Sequence, residues 1–227
     1  MTKHIAFILL LGMAVTATSC RNKTQAPTDT VSSGVIKISV DESFRPLIQE
    51  EIDVYEGLYP AAGLIPEYTS EVEAINLLLK DSVRLTVSTR KLTEAEINGL
   101  KEKKLFPKEI KIATDGIALI THKQNADTIL SVPDLTKILT GKITQWSELD
   151  PKSKLGKIQV VFDNSNSSTI RYAIDSLCKG QPLYQGLTAL GTNPQVIDYV
   201  AKTPNALGVI GVSWIGRLNQ SILLRTY

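Results

Sequence analysis

Six small polar residues run in succession at positions 164 to 169: Asn164, Ser165, Asn166, Ser167, Ser168 and Thr169. They lead into "IRYAIDSL", a helix-like pattern. One Ser, Thr, Asp or Asn is enough to cap a helix, because one side-chain oxygen satisfies one free amide of the first turn. The surplus of donors implies a bound group as well as a cap. Two further polar clusters fall at the same kind of place, where an apolar run hands over to a helix-like one: "VDESF" around Ser43 and "VSTRK" around Ser88, Thr89 and Arg90. Hydroxyls beside the free amides and positive end of a helix suit a small oxyanion. Each hydroxyl taken alone is adequately explained as a cap; three clusters in equivalent places are not.

The elements that must position these clusters alternate. "GVIKISV" at 34–40 reads as a buried strand, and Phe44, Leu47, Ile48, Ile52 and Tyr55 follow at helical spacing. "GLIPEYTS" and "EVEAINLLLKDS" repeat the strand-then-helix order. "VRLTVST" then enters "RKLTEAEINGLKEKK", where Thr93 and Glu96 form a capping box. Alternating strands and helices predict a mostly parallel sheet covered on both faces, with ligands beyond the carboxyl ends of its strands. Farther on, "EIKIATDGIALITHK" reads as one long β-rich run, and Ser131 with Pro133 opens a helix. "IQVVFD" is a strand, a helix ends at Gly180, another helix spans "TNPQVIDYVAKTPN", and "ALGVIGVSWI" is a second long β-rich run. The two long runs are candidates to carry the chain between two lobes.

Composition narrows the function. The chain has 227 residues, with 25 Lys plus Arg against 23 Asp plus Glu, and no long basic run that would mark a nucleic-acid surface. Lys3 and His4, the apolar "IAFILLLGMAV" and the small residues "TATSC" read as an export signal too short to span a bilayer. The stretch ending at Cys20 resembles a bacterial lipoprotein signal, with Ala17 where such signals favour Leu. It implies that residues 1–19 are removed and that Cys20 is lipidated. "RNKTQAPTDTVSSG" is too polar for a core and reads as a tether, residues 20–34, reaching roughly 20 Å. Beyond Cys20 the only cysteine is Cys178, and His122 is the only histidine outside the signal, so a zinc site and an intramolecular disulfide are not expected. No G-x-S-x-G elbow is present to support a hydrolase.

"IATDGIALITHKQN" followed by "LTKILTGKITQWSEL" resembles the phosphate-binding periplasmic proteins of ABC transporters. "STRKLTEAE" matches that family's Ser-Arg turn, and "ALGVIGVSWI" matches its late strand. The resemblance covers about residues 35 to 215. It implies an α/β, two-lobed, type II periplasmic-binding-protein fold hinged on two crossover strands, with one lobe from 35–115 plus 208–227 and the other from 116–207. It implies a monomeric, non-enzymatic, cofactor-free receptor, anchored to the membrane from the periplasmic side through Cys20, that delivers phosphate or a similar oxyanion to an ABC permease. Carried over by position, the cleft residues are Ser43, Phe44, Ser88, Thr89, Arg90, Asp115, Ser167, Ser168 and Thr169. Trp146 also matches a family position, but reads as a core aromatic.

Two departures stand out. Asp163 occupies a place where the family carries Arg, and an ionised carboxylate 4 Å from an anion costs about 4 kcal/mol at an effective dielectric of 20. Asp163 can instead accept the proton of a monohydrogen oxyanion. Ser168 replaces a glycine and gives up the close backbone approach that glycine allows. Arg171 is the candidate replacement cation. These departures leave a second expectation open, an envelope lipoprotein with an altered cleft that acts as a scaffold or sensor through protein contacts.

Overall fold

The computed structural model describes residues 29–125, 129–218 and 222–225. The signal segment and Cys20 lie outside the described residues.

The first half is a three-stranded parallel sheet. β1 (Ser33–Asp41) lies between β2 (Ala61–Thr69) and β3 (Leu85–Val87). Between these strands run α1 (Arg45–Leu58) and α2 (Glu71–Leu79), and α3 (Glu94–Glu102) follows β3. Phe44, Ile48 and Ile52 recur at helical spacing and bury against Ile38 and Val40 of β1. Ser70 caps α2, and the expected box of Thr93 and Glu96 caps α3.

The second half is a five-stranded sheet in the order β6-β5-β7-β4-β8. Its strands are β4 (Ile117–His122), β5 (Gln159–Phe162), β6 (Thr188–Ala189), β7 (Ala206–Gly211) and β8 (Ile222–Arg225). β5 is parallel to β6 and β7, whereas β4 runs antiparallel to β7 and β8. One face is covered by α4 (Val132–Leu139), opened by Ser131 as expected, and by α5 (Ser168–Tyr172), which continues as a π-helical turn through Leu177. Trp146 lies in that core and donates its indole N–H to the carbonyl of Asn205 at 2.9 Å. The other face is covered by α6 (Asn193–Lys202), whose Val196 and Val200 lie so close to β7 that a Cβ at Gly208 would sit 2.8 to 3.0 Å from them.

Two expectations are corrected. The stretch 208–227 was expected with the first lobe, yet β7 and β8 hydrogen-bond to β4 and so belong to the second sheet. What returns to the first half is only the 3₁₀ turn Val212–Arg217, where the Ser213 hydroxyl donates to the carbonyl of Ser43 at 2.5 Å. The run "EIKIATDGIALITHK" is a strand only from Ile117, and residues 105–116 are irregular, with Ile110 and Ile112 exposed. Alternation of apolar residues marks a segment able to pair; it does not supply the neighbouring strand. The tether gives way to β1 at Ser33, two residues before the lobe expected from residue 35, and the carbonyl of Val31 already accepts from the Tyr55 hydroxyl.

Candidate functional site

The carboxyl end of β1 reads Val40-Asp41-Glu42-Ser43, and the carboxyl end of β5 reads Phe162-Asp163-Asn164. Parallel strands followed by helices bring these ends to the rim of each sheet, and here the two rims face one another. The Ser168 hydroxyl lies 3.4 Å from that of Ser43, and the Asn193 amide donates to Glu42 Oε2 at 2.7 Å. Between them is a cavity of about 210 Å³, bounded by Asp41, Glu42, Asp163 and Ser167, by Tyr68, Thr69 and Ser70 at the end of β2, and by Gly191 and Thr192 before α6.

The surplus of hydroxyls at 164–169 has a definite partner. Ser167 donates to Asp163 Oδ1 at 2.6 Å, and Thr169 and Ser43 approach Asp163 Oδ2 at 3.4 and 3.5 Å. Asn193 Nδ2 lies 3.3 Å from the same oxygen. Ser167 also caps α5 by accepting from the Ile170 amide. Asp163 is thus an internal anion seated among the donors that were expected to hold an external one. Burial nevertheless pushes its carboxyl above the usual range, because these partners are neutral.

Asp41 and Glu42 are less well supplied. Asp41 is 0% exposed and Glu42 9%, yet Asp41 Oδ2 and Glu42 Oε1 have no hydrogen-bond partner. Burial pushes Asp41 up to about 6, with the charges of Glu71 and Asp163 adding to the rise. Burial raises Glu42 as well, against the Asn193 amide. Buried acceptors without partners cost free energy unless a bound group supplies protons. No Lys or Arg is among the described residues that line the cavity. Among the described residues no group of three or more His, Cys, Asp or Glu is placed to hold a metal ion.

Of the expected site residues Ser167 borders the cavity; Ser43, Ser168 and Thr169 are buried behind its lining, and the others lie apart from it. Thr89 donates its amide and hydroxyl to Glu71 Oε1, and Arg171 donates to Glu71 Oε2 at 2.7 Å. Arg171 also reaches the Thr89 hydroxyl, so the candidate replacement cation ties the second half to α2. Burial alone would raise Glu71, but the hydrogen bonds from Arg171 and Thr89 hold it below the usual range. Arg90 is engaged by Glu96 at 2.7 and 2.8 Å, and the Ser88 hydroxyl donates to the carbonyl of Arg90. Phe44 is a core residue of the first half, and Asp115 is exposed in the irregular segment. Of the expected set, Ser43, Ser167 and Thr169 come together around Asp163, with Ser168 beside Ser43; Thr89 and Arg171 gather on Glu71, Arg90 pairs with Glu96, and Ser88 bonds to the Arg90 carbonyl.

Sequence reasoning missed Asp41, Glu42, Glu71 and Asn193. The signal was present in part, since Asp41 and Glu42 share the strand-to-helix turn that singled out Ser43, and Asn193 follows the cap Thr192 ahead of Pro194. Acidic residues in such turns read as solvated helix starts, and only the opposing half buries them.

The family described as a PBP superfamily domain matches residues 23–223. The chain belongs to that superfamily. This PBP-superfamily chain is similar to "Phosphate-binding protein PstS" of Bacillus subtilis, 24% identical over 225 residues that cover 94% of this chain and 71% of the relative. It is similar in the same way to the PstS of Borreliella burgdorferi, 23% identical over 219 residues, covering 94% and 74%. Among solved structures it resembles a putative phosphate ABC transporter substrate-binding protein with bound phosphate from Clostridium perfringens. That likeness has a TM-score of 0.72 at 25% identity and covers 85% of this chain and 75% of the other. The OxyR2 regulatory domain from Vibrio vulnificus superimposes with a TM-score of 0.60 at 12% identity over 88% and 83% of the two chains, a likeness of fold alone. The α/β two-lobed architecture expected from the sequence is that of these PstS-type neighbours.

Proposed function

We propose that this chain is an extracytoplasmic solute-binding protein that captures phosphate or a closely related oxyanion in the cavity between its two halves and presents it to an ABC permease. The observation that carries this reading is the cavity at the facing strand ends, lined by the cap residues Ser70, Ser167 and Thr192 and by Asp41, Glu42 and Asp163, whose carboxyls burial makes able to hold or share a proton. A protonated oxyanion suits that lining: its unprotonated oxygens accept from hydroxyls, while a P–OH donates to Asp41 or Glu42. Sulfate carries no proton at neutral pH and has none to share. The PstS relatives and the phosphate-bound neighbour support the ligand class.

Anchorage belongs to the same reading. Cys20 carries the lipid, residues 20 to about 32 form the tether, and the body sits on the periplasmic face as a monomer. The mass of the mature N-terminal peptide checks this, since cleavage before Cys20 with an added diacylglycerol is expected. The two halves open about residues 105–116 and 211–217, the stretches that pass between them.

Thermal denaturation with and without ligand tests the function. Phosphate at a hundredfold excess over its Kd is expected to stabilise the chain by about 2.7 kcal/mol, with a smaller effect of sulfate at the same concentration. Equal effects would remove the proton-donor argument. A second reading is favoured by one observation, that Ser43, Ser167 and Thr169 already face Asp163. On that reading the chain is a scaffold or sensor whose cleft holds its own carboxylate, and no oxyanion shifts its stability.

A further inference from the structure

Among the described residues every ion pair lies within one half or the other, except that of Arg171 with Glu71. The surroundings of that carboxylate are those of an anion site. Its Oε1 accepts from the consecutive backbone amides of Thr89 and Arg90 at 2.9 and 3.2 Å, from the Thr89 hydroxyl at 2.5 Å and from Arg171 Nη2 at 3.3 Å. Its Oε2 accepts from Arg171 Nε at 2.7 Å. Successive amides aimed at one oxygen, a hydroxyl and a guanidinium are donors that suit a small oxyanion.

The donors come from both sides of the junction. Thr89 and Arg90 belong to the turn after β3 in the first half, and Arg171 belongs to α5 in the second. A solute held by donors of two halves draws them together, and the halves are free to part when it leaves. Glu71 is 1% exposed and sits in the first turn of α2, so this occupant is part of the chain and cannot diffuse away. Other contacts across the junction, Ser168 to Ser43 at 3.4 Å, Ser43 to Asp163 at 3.5 Å and Asn193 to Glu42 at 2.7 Å, bring no cation to a carboxylate.

We infer that Glu71 is a built-in occupant, whose carboxylate takes the place of a free anion between the Thr89–Arg90 turn and Arg171 and holds the two halves closed without solute. The inference is independent of the oxyanion reading of the cavity, whose lining includes none of Glu71, Thr89, Arg90 and Arg171.

Hydrogen exchange of the full chain without added solute, read by mass spectrometry, tests it. In the wild type, segments 41–44 and 163–169 on the facing rims are expected to be protected. Glu71→Gln is expected to speed exchange across 163–169, in the half that does not carry it, by about tenfold or more. Arg171→Gln is expected to do the same to 41–44. Exchange in β1 and β4 is expected to stay slow in both, which separates opening from unfolding, and if one variant fails to fold the other attacks the same contact from the opposite half. Glu71→Ala leaves the donors empty, and sodium acetate is expected to restore protection there but not in Glu71→Gln, whose amide fills the space. Fast exchange at both rims of the wild type, or rims unchanged by the substitutions, overturns the inference. Acetate that fails to rescue Glu71→Ala overturns it too, since the contact is then an ordinary ion pair and not an occupied anion site.

Discussion

Two buried carboxyl sites lie at the junction of the halves, and they titrate in opposite directions. Glu71 is 1% exposed, but it accepts from Arg171, from the Thr89 hydroxyl and from two backbone amides, and its carboxyl is held low. Asp41, Glu42 and Asp163 are comparably buried, have only neutral partners, and are raised. Burial alone therefore decides neither outcome; the presence of a cation does. The Glu71 site is a finished ion pair that fastens α2 to α5. The Asp41 site is unfinished, and that distinguishes a place for a ligand from a place for structure.

The comparison breaks most visibly at Arg171. Arg171→Ala leaves Glu71 charged and buried without its cation, and the expected loss is about 3 kcal/mol in chemical denaturation. Asp41→Asn is expected to cost little or to stabilise the unliganded chain, because it removes a buried charge that has no cation. An equal loss in both variants would mean that the two sites do not differ in kind.

The pH dependence of stability sharpens the same contrast. Asp41 keeps its proton to about pH 6 when folded, against 3.8 as the ordinary value, so the folded chain binds more protons between those limits. Its contribution is present at the acid end of that window and is lost as pH rises through about 6, by up to about 3 kcal/mol. Glu71 acts with the opposite sign: its contribution is present above the ordinary carboxyl range and is lost as pH falls below it. Stability of the unliganded chain is expected to be highest between about pH 4 and 4.5, where the Asp41 loss begins and the Glu71 contribution is established, and Asp41→Asn is expected to flatten the decline toward pH 7. Thermal melts across pH 4 to 8 check both.

The smallest effect concerns the donors around Asp163. Ser167→Ala removes a cap and a 2.6 Å hydrogen bond together, with an expected cost of about 1 to 2 kcal/mol. Asn193→Ala removes a donor shared by Glu42 and Asp163 and is expected to raise both carboxyls further, which carboxyl-resolved NMR titration would detect.

The sequence made some of this legible and hid the rest for physical reasons. Local signals were reliable: Thr93 with Glu96, Ser131, and the run of hydroxyls before α5 each mark the helix start they occupy. The identity of the group those hydroxyls hold was not local. Asp163 was legible as a departure at an expected cation position, but its burial depends on Ser43 and Asn193, 120 and 30 positions away. Arg171 looked like a ligand cation because its partner Glu71, 100 positions away, read as an ordinary acidic residue at the start of a helix. The same limit explains the strand expected at 109–116 and the placement of 208–227, since pairing partners are chosen across the fold.

The central claim is that the cavity joining Asp41, Ser70, Asp163 and Thr192 receives a protonated oxyanion. A crystal structure of the chain grown with phosphate tests it most directly. The account predicts a tetrahedral anion within hydrogen-bond distance of Ser70 or Thr192 and of a carboxylate oxygen of Asp41 or Glu42. A structure in which that cavity stays free of anion at saturating phosphate, with Asp163 still holding the Ser167 and Thr169 hydroxyls, would contradict it.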